Sequence, residues 1–261
     1  MDVLYDLETF YSGWRKEKGY IGSTVKNRLI PFVAVEKTPS PIILVQGAIH
    51  AREFVTARLI MILARRFDAF GKLGKAVFIP AVDLDGIKIA ETFGDYKANA
   101  NGVDLNVNFD ARWSTGKSNV FMKAKQNFVG KAPFSEPESA ALRDFTLKVA
   151  PDATLSYHSK GEEIYWDFHQ TGNSADRDAE LAELISASTG YVIKPSGASA
   201  GGYKDWCIEK LKIPAFTLEV GEDRLKHPIG KDEVFGIFLK NKNVVSDVLE
   251  YLWKKNSCQP L

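Results

Sequence analysis

The stretch Ile42-Ile43-Leu44-Val45-Gln46-Gly47-Ala48-Ile49-His50-Ala51-Arg52-Glu53 decides how this chain is read. Ile42–Gln46 reads as a buried strand entering Gly47. From Glu53 to Phe70 the apolar residues Phe54, Ala57, Ile60, Met61, Ala64 and Phe67 recur at helical spacing, so a helix follows at once. A strand running straight into a helix belongs to an α/β sheet, and in open sheets of that kind ligands collect at the carboxyl ends of the strands. His50 and Glu53 stand at such an end. Three residues apart, an imidazole nitrogen and a carboxylate converge on one cation across a tight turn. Zinc suits such ligands, and catalytic sites leave one position open for water. The spacing also occurs in ordinary surface turns, so the pair needs support from elsewhere.

Outward from this point the chain alternates. Leu29–Glu36 is a strand, Pro39-Ser40-Pro41 a turn, and Ala76–Val82 a further strand. Glu136–Val149 reads as a helix with Ser135 as its N-cap. Thr154–Tyr157 and Ala215–Val220 are strands, and Glu162–Trp166 is a short strand or extended loop. Ala175–Ser188 is a helix, and Asp232–Trp253 one long closing helix. Strands alternating with helices predict an α/β class, with a largely parallel sheet covered on both faces. With no linker or repeat, one domain over residues 1–261 is expected.

Composition excludes more than it names. Of 261 residues, 34 are basic and 33 acidic, a net charge of +1, which argues against nucleic acid or anionic membrane as a field-driven partner. No run of 18 apolar residues occurs, so no membrane insertion is expected. The N-terminus lacks a basic leader, so a cytoplasmic location is the default. Two cysteines, Cys207 and Cys258, rule out a disulfide scaffold. The oligomeric state is open.

A third ligand should come from another strand end, and His158 qualifies, because Asp152–Tyr157 leads into it and Ser159-Lys160-Gly161 turns away. Zinc hydrolysis also needs a base near the metal that does not ligate it. Glu219 lies inside the otherwise apolar Ala215–Gly221, where an uncompensated charge is costly. Together with the two histidines it reads as that base.

Four segments in order now carry a resemblance: HARE at 50–53, GVDLNVNF at 102–109, the strand-end His158, and FTLEVG at 216–221. The chain resembles the zinc metallocarboxypeptidases of the carboxypeptidase A/B superfamily from about Ile30 onward. The resemblance implies an eight-stranded mixed sheet between helices, one zinc ion on His50, Glu53 and His158, and Glu219 as general base. Arg52 matches an arginine that contacts substrate, and Asn106 matches half of the family's carboxylate clamp. Tyr96-Lys97 stands where an aromatic–arginine pair flanks the scissile carbonyl, so Lys97 is expected to stabilise a developing oxyanion as a point charge.

The chain also departs from the family. Val107 occupies the position of the clamp arginine, and an apolar side chain cannot make a bidentate bond to a carboxylate. The family's mobile tyrosine falls at Ile193. Arg112, just beyond the Asn106 segment, is taken as the replacement carboxylate contact. Residues 97–109 and 156–166, the latter with His158-Ser159-Lys160-Gly161 and Ile164-Tyr165-Trp166, resemble the γ-D-glutamyl-L-diamino acid peptidases. That branch implies a peptidoglycan-derived peptide substrate, in which D-glutamate is bonded through its side-chain carboxyl to meso-diaminopimelate. On this reading Ser159 joins Arg52, Asn106 and Arg112 in substrate binding, Lys160 is a further carboxylate contact, and Asp205 faces the extra amine or is an exposed loop residue. His169 and His227 are expected at the surface. The rival readings are a deacylase or carboxypeptidase of the same superfamily, and a non-catalytic protein that binds wall peptides.

Overall fold

In chain order the elements begin with helix α1 (Val3–Gly13), strands β1 (Lys18–Ser23), β2 (Leu29–Glu36) and β3 (Ile42–Gly47), and helix α2 (Val55–Phe70). Strand β4 (Lys75–Ile79) and helices α3 (Leu84–Phe93) and α4 (Pro137–Val149) follow. Next come β5 (Ala153–His158), β6 (Glu163–Tyr165), α5 (Asn173–Thr189), β7 (Val192–Lys194) and the short α6 (Tyr203–Trp206). Strand β8 (Ala215–Glu219) and helices α7 (Val234–Asn241) and α8 (Val244–Ser257) complete the chain. The structure, a computed structural model, describes residues 2–257, so Cys258 lies outside it.

The eight strands form one sheet in the order β1-β2-β4-β3-β5-β8-β6-β7. Its centre is parallel: β4, β3, β5 and β8 run the same way, whereas β1, β2 and β6 join antiparallel. The sheet is therefore mixed, as the resemblance implies. Every residue of β5 is buried, and β3 is buried from Ile43 onward, so both faces of the central strands are covered. Helix α2 packs on β2, β3 and β4 and meets α1, α7 and α8, while α5 packs against α8.

The parallel centre places the chemistry. Gly47 pairs with Tyr157 in register, and His158 pairs with Glu219, so the carboxyl ends of three neighbouring strands lie side by side. The turn after β3 is tightly built. A Cβ on Gly47 would stand 2.6 Å from Ile60 and 2.9 Å from the Thr56 hydroxyl, so only glycine fits. Thr56 Oγ1 accepts from the Ala48 amide at 2.8 Å and donates to the Glu53 carbonyl at 2.7 Å, clamping the turn.

Several elements differ from the sequence reading. The helix after β3 begins with a 3₁₀ turn at Ala51–Glu53, and α2 proper starts at Val55. The cap of α4 is Glu136 and not Ser135, whose hydroxyl instead donates to the Glu136 carboxylate at 2.9 Å. The expected single closing helix is two, α7 and α8. At the break, Arg66 of α2 donates to the Lys242 carbonyl at 2.7 Å and to the Asn243 side chain at 2.9 Å. Helix α1 follows an Asp2 cap and buries Val3, Leu7 and Phe10 at helical spacing. The Asp83 side chain caps α3 in the same way, accepting from the Gly86 amide.

Candidate metal centre and active-site cleft

His50, Glu53 and His158 offer ligand atoms that all lie within 4.8 Å of one another. His50 Nδ1 stands 3.0 Å from Glu53 Oε1, and His158 Nδ1 is 3.0 Å from Oε2 and 3.1 Å from His50 Nδ1. All three residues are buried. The far nitrogen of His50, Nε2, lies 3.1 Å from Asp104 Oδ1. A proton placed on Nε2 to serve that carboxylate leaves Nδ1 as a lone pair aimed at the centre. The arrangement fits a divalent cation with nitrogen and oxygen ligands better than it fits a hydrogen-bonded core, because two imidazole nitrogens and a carboxylate converge with few protons to share. Burial opposes the charge on Glu53, but His50 and His158 hold its carboxyl well below the ordinary range, and ligands must be ionised in this way. The Ser159 amide donates to Glu53 Oε2 at 3.3 Å and helps orient it.

Asp104 is the organising residue that the sequence reading left without a role. It is fully buried, yet His50, Lys97 and two backbone amides converge on it: Lys97 Nζ at 3.0 Å, Asn106 N at 3.1 Å and Asn127 N at 3.0 Å. Burial works against its ionisation, but the Lys97 ammonium and His50 outweigh that and keep it far below the usual carboxylate range. In return Lys97 is raised, with burial opposed by Asp104 and Glu53. A signal existed, since Asp104 opens the very segment that ends in Asn106 and Asn108.

Glu219 ends β8 beside His158, half-buried and lining a cleft of about 300 Å³ together with His50, Lys97, Asn106 and His158. Burial pushes its carboxyl up to about 7, with His158 pulling down and Glu53 pushing further up. A carboxylate poised near neutrality can both accept and return a proton. The far wall of the cleft includes Tyr165, Ser196, Thr217, Lys204 and Asp205. Lys204 is buried. Its Nζ is 2.7 Å from Asp205 Oδ1, donates to the Asp167 carbonyl at 2.7 Å, and sits over the Phe168 ring. Asp205 is therefore not the exposed loop residue considered above. It also accepts from the Gly202 amide at 3.1 Å.

The other expected contacts divide. Asn106 lines the cleft, and its Oδ1 accepts from the Tyr203 amide at 3.0 Å. Arg52 is bound to Asp95, outside the cleft lining. Arg112 is not brought to the cleft: Glu209 holds it at 3.1 Å, and it lines a separate groove with Phe168, His169 and Arg177. It replaces no clamp arginine there, because it is absent from the cleft lining and its guanidinium lies over the Phe168 ring. Lys160 is likewise turned away, to Asp223 at 2.8 Å. The tyrosines nearest Ile193 in sequence, Tyr191 and Tyr203, are buried and bonded to Asn241 and Thr146. His169 is exposed as expected, whereas His227 is half-buried with Nδ1 unpartnered. A groove of about 350 Å³ between α2 and α8, lined by Leu63, Arg66 and Phe67, brings no metal-binding cluster together.

Ligand-forming strand ends, a second carboxylate poised for proton transfer and a mixed eight-stranded sheet define a metallohydrolase. Residues 15–250 match the zinc carboxypeptidase family, and the chain belongs to it as a metallopeptidase. Among its relatives is the gamma-D-glutamyl-L-diamino acid endopeptidase 1 of Lysinibacillus sphaericus, 28% identical over 261 positions that cover 84% of this chain and 65% of the relative. The chain thus spans about two thirds of that protein's length. By fold it is similar to bovine thrombin-activatable fibrinolysis inhibitor, with a TM-score of 0.83, 18% identity and 98% of each chain covered. It is also similar to the murein-tripeptide amidase of Escherichia coli O157, with a TM-score of 0.65, 20% identity, 92% of this chain and 94% of that one covered. These two structural likenesses speak for the fold alone.

Proposed function

We propose that the chain is a zinc-dependent peptidase that hydrolyses the γ-D-glutamyl–meso-diaminopimelate amide of bacterial cell-wall peptides. His50 Nδ1, Glu53 and His158 Nδ1 would hold the ion, which when bound polarises the scissile carbonyl and acidifies water. Glu219 takes a proton from the attacking water as the new C–O bond forms. It then passes that proton to the diaminopimelate nitrogen as the C–N bond breaks. Lys97, fixed by Asp104, offers a positive charge to the carbonyl oxygen as negative charge develops there.

The observation that carries the substrate assignment is the buried Lys204–Asp205 pair in the cleft, in a chain whose sequence has Val107 at the position of the family's clamp arginine. An ammonium has three N–H donors, and two are already committed, to Asp205 and to the Asp167 carbonyl. Lys204 lines the cleft, so its remaining charge is placed to meet a substrate carboxylate there. Diaminopimelate ends in an amino-acid zwitterion, so a lysine–aspartate pair matches its two charges. The relative named as an endopeptidase of γ-D-glutamyl-L-diamino acids supports the same reading.

The test is a zinc-loaded digest of a defined stem tripeptide beside an acyl amino acid, with products read by mass. Release of diaminopimelate is expected, and hydrolysis of the acyl amino acid alone would overturn the assignment. Lys204→Met made together with Asp205→Asn, so that no buried carboxylate is left unpaired, should raise KM for the tripeptide about 10- to 100-fold, the range of a charged hydrogen bond.

A further inference from the structure

The whole-chain charge conceals a local asymmetry. Residues 115–131 hold Lys117, Lys123, Lys125 and Lys131 and no aspartate or glutamate, so the rest of the chain is net acidic. The same segment carries Phe121 and Met122, which are 66% and 80% exposed, and Met122 is the most exposed large apolar side chain among the described residues. Isolated exposed apolar residues are ordinary. Two consecutive ones at the tip of a lysine-flanked loop are a different matter, because each lysine there keeps the apolar tip beside positive charge.

The loop is held firmly at its base. Val120 N donates to Asn127 O at 2.9 Å, Ala124 N to Gly102 O at 3.3 Å, and the Trp113 indole to Val129 O at 3.0 Å. It also borders the active-site cleft. Asn127 N donates to Asp104, the partner of His50, and Lys117 N donates to Ala198 O at 3.2 Å, between the cleft residues Ser196 and Ser199. Among the four lysines only Lys125 has a carboxylate partner among the described residues, Asp95 at 2.9 Å. The others present free charge to solvent.

We propose that this loop docks on an anionic lipid surface, with Phe121 and Met122 entering the headgroup region and the lysines meeting lipid phosphates. Charge complementarity selects an anionic partner. The apolar tip selects a membrane over a soluble polyanion, since only a membrane offers an apolar phase for those side chains. Weak hydrophobic anchors hold a protein on a membrane when a second, electrostatic signal accompanies them. Each lysine close to an anionic leaflet contributes about fivefold in binding. Because the loop is bonded to Asp104 and Ala198 beside the cleft, docking would hold the cleft close to the membrane, which on the proposed function would favour peptides attached to lipid.

Sedimentation of the zinc-loaded chain with vesicles tests this without any substrate, so failure here leaves the peptidase reading standing, and failure of hydrolysis leaves docking standing. Binding is expected to phosphatidylcholine vesicles containing about a quarter phosphatidylglycerol, weakening with added salt, and not to phosphatidylcholine alone. Phe121→Ser with Met122→Ser should lower binding about tenfold or more while leaving hydrolysis of a small soluble peptide unchanged. Lys117→Gln with Lys123→Gln should lower binding about 25-fold. No binding of the unaltered chain to anionic vesicles overturns the proposal. Binding lost with the lysines but indifferent to Phe121 and Met122 also overturns it, and marks a site for a soluble polyanion.

Discussion

Replacing Glu219 by glutamine should make the metal-free protein more stable and the loaded enzyme nearly inactive. Burial raises the Glu219 carboxyl from its ordinary 4.5 to about 7. A raised acid favours its neutral form in the fold, so its contribution is fully present below 4.5 and is lost as pH rises through 7. The full displacement corresponds to about 3 kcal/mol at pH 8. Because the side chain is half-buried and reaches cleft water, about 1–2 kcal/mol is the expected effect. Glutamine keeps the shape and never ionises, so it escapes this penalty. For a chain of this size that stability gain is a rise in Tm of about 3–6 °C at pH 8, shrinking toward zero near pH 4.5. Thermal unfolding of chelator-treated protein, variant against parent across that pH range, reads it directly. A bound cation favours the ionised carboxylate, so added zinc should narrow the difference. Turnover of the loaded variant should fall about 10²- to 10⁴-fold, the range for removing a general acid–base. A variant no more stable than its parent at pH 8, or a difference that does not change with pH, would refute the placement of Glu219 in a desolvating site.

Asp104→Asn should weaken zinc affinity about 10- to 100-fold, measured by chelator competition, because His50 loses the carboxylate that orients its ring. Arg112→Ala should leave KM and kcat for a stem tripeptide unchanged, since Glu209 and Phe168 hold it in a separate groove. Leu44→Ala, at a fully buried position in the middle of β3, should cost about 2–5 kcal/mol in denaturant unfolding. It should leave the activity of the folded fraction intact.

Much of this protein was legible in its residues because short-range patterns express local physics. Strand β3 and the helix after it follow from an apolar run passing into a 3.6-residue period, and β5 and β8 from the same kind of run. His50, Glu53, His158 and Glu219 stand at or just beyond the ends of β3, β5 and β8, where strand direction brings side chains to one edge of a parallel sheet. Contacts between segments far apart in the chain leave no such local pattern. At the break between α7 and α8 the Lys242 carbonyl meets Arg66, more than 170 residues away, and no periodicity within the helix records that contact. Arg112 lies five residues from the clamp position, but the backbone turns it toward Glu209.

By itself, then, the sequence determined an α/β sheet with a His-Glu-His centre and a carboxylate beside it, since those depend on period, spacing and strand polarity. Tertiary structure alone decided that Asp104 orients His50 and anchors Lys97, and that Lys204 and Asp205 share the cleft while Arg112 does not. It also decided that the loop carrying four lysines and the exposed Phe121 and Met122 is bonded to Asp104 and Ala198 beside that cleft. A side chain's charge is written in the chain. What that charge faces depends on burial and on partners, which exist only after the sheet has closed around them.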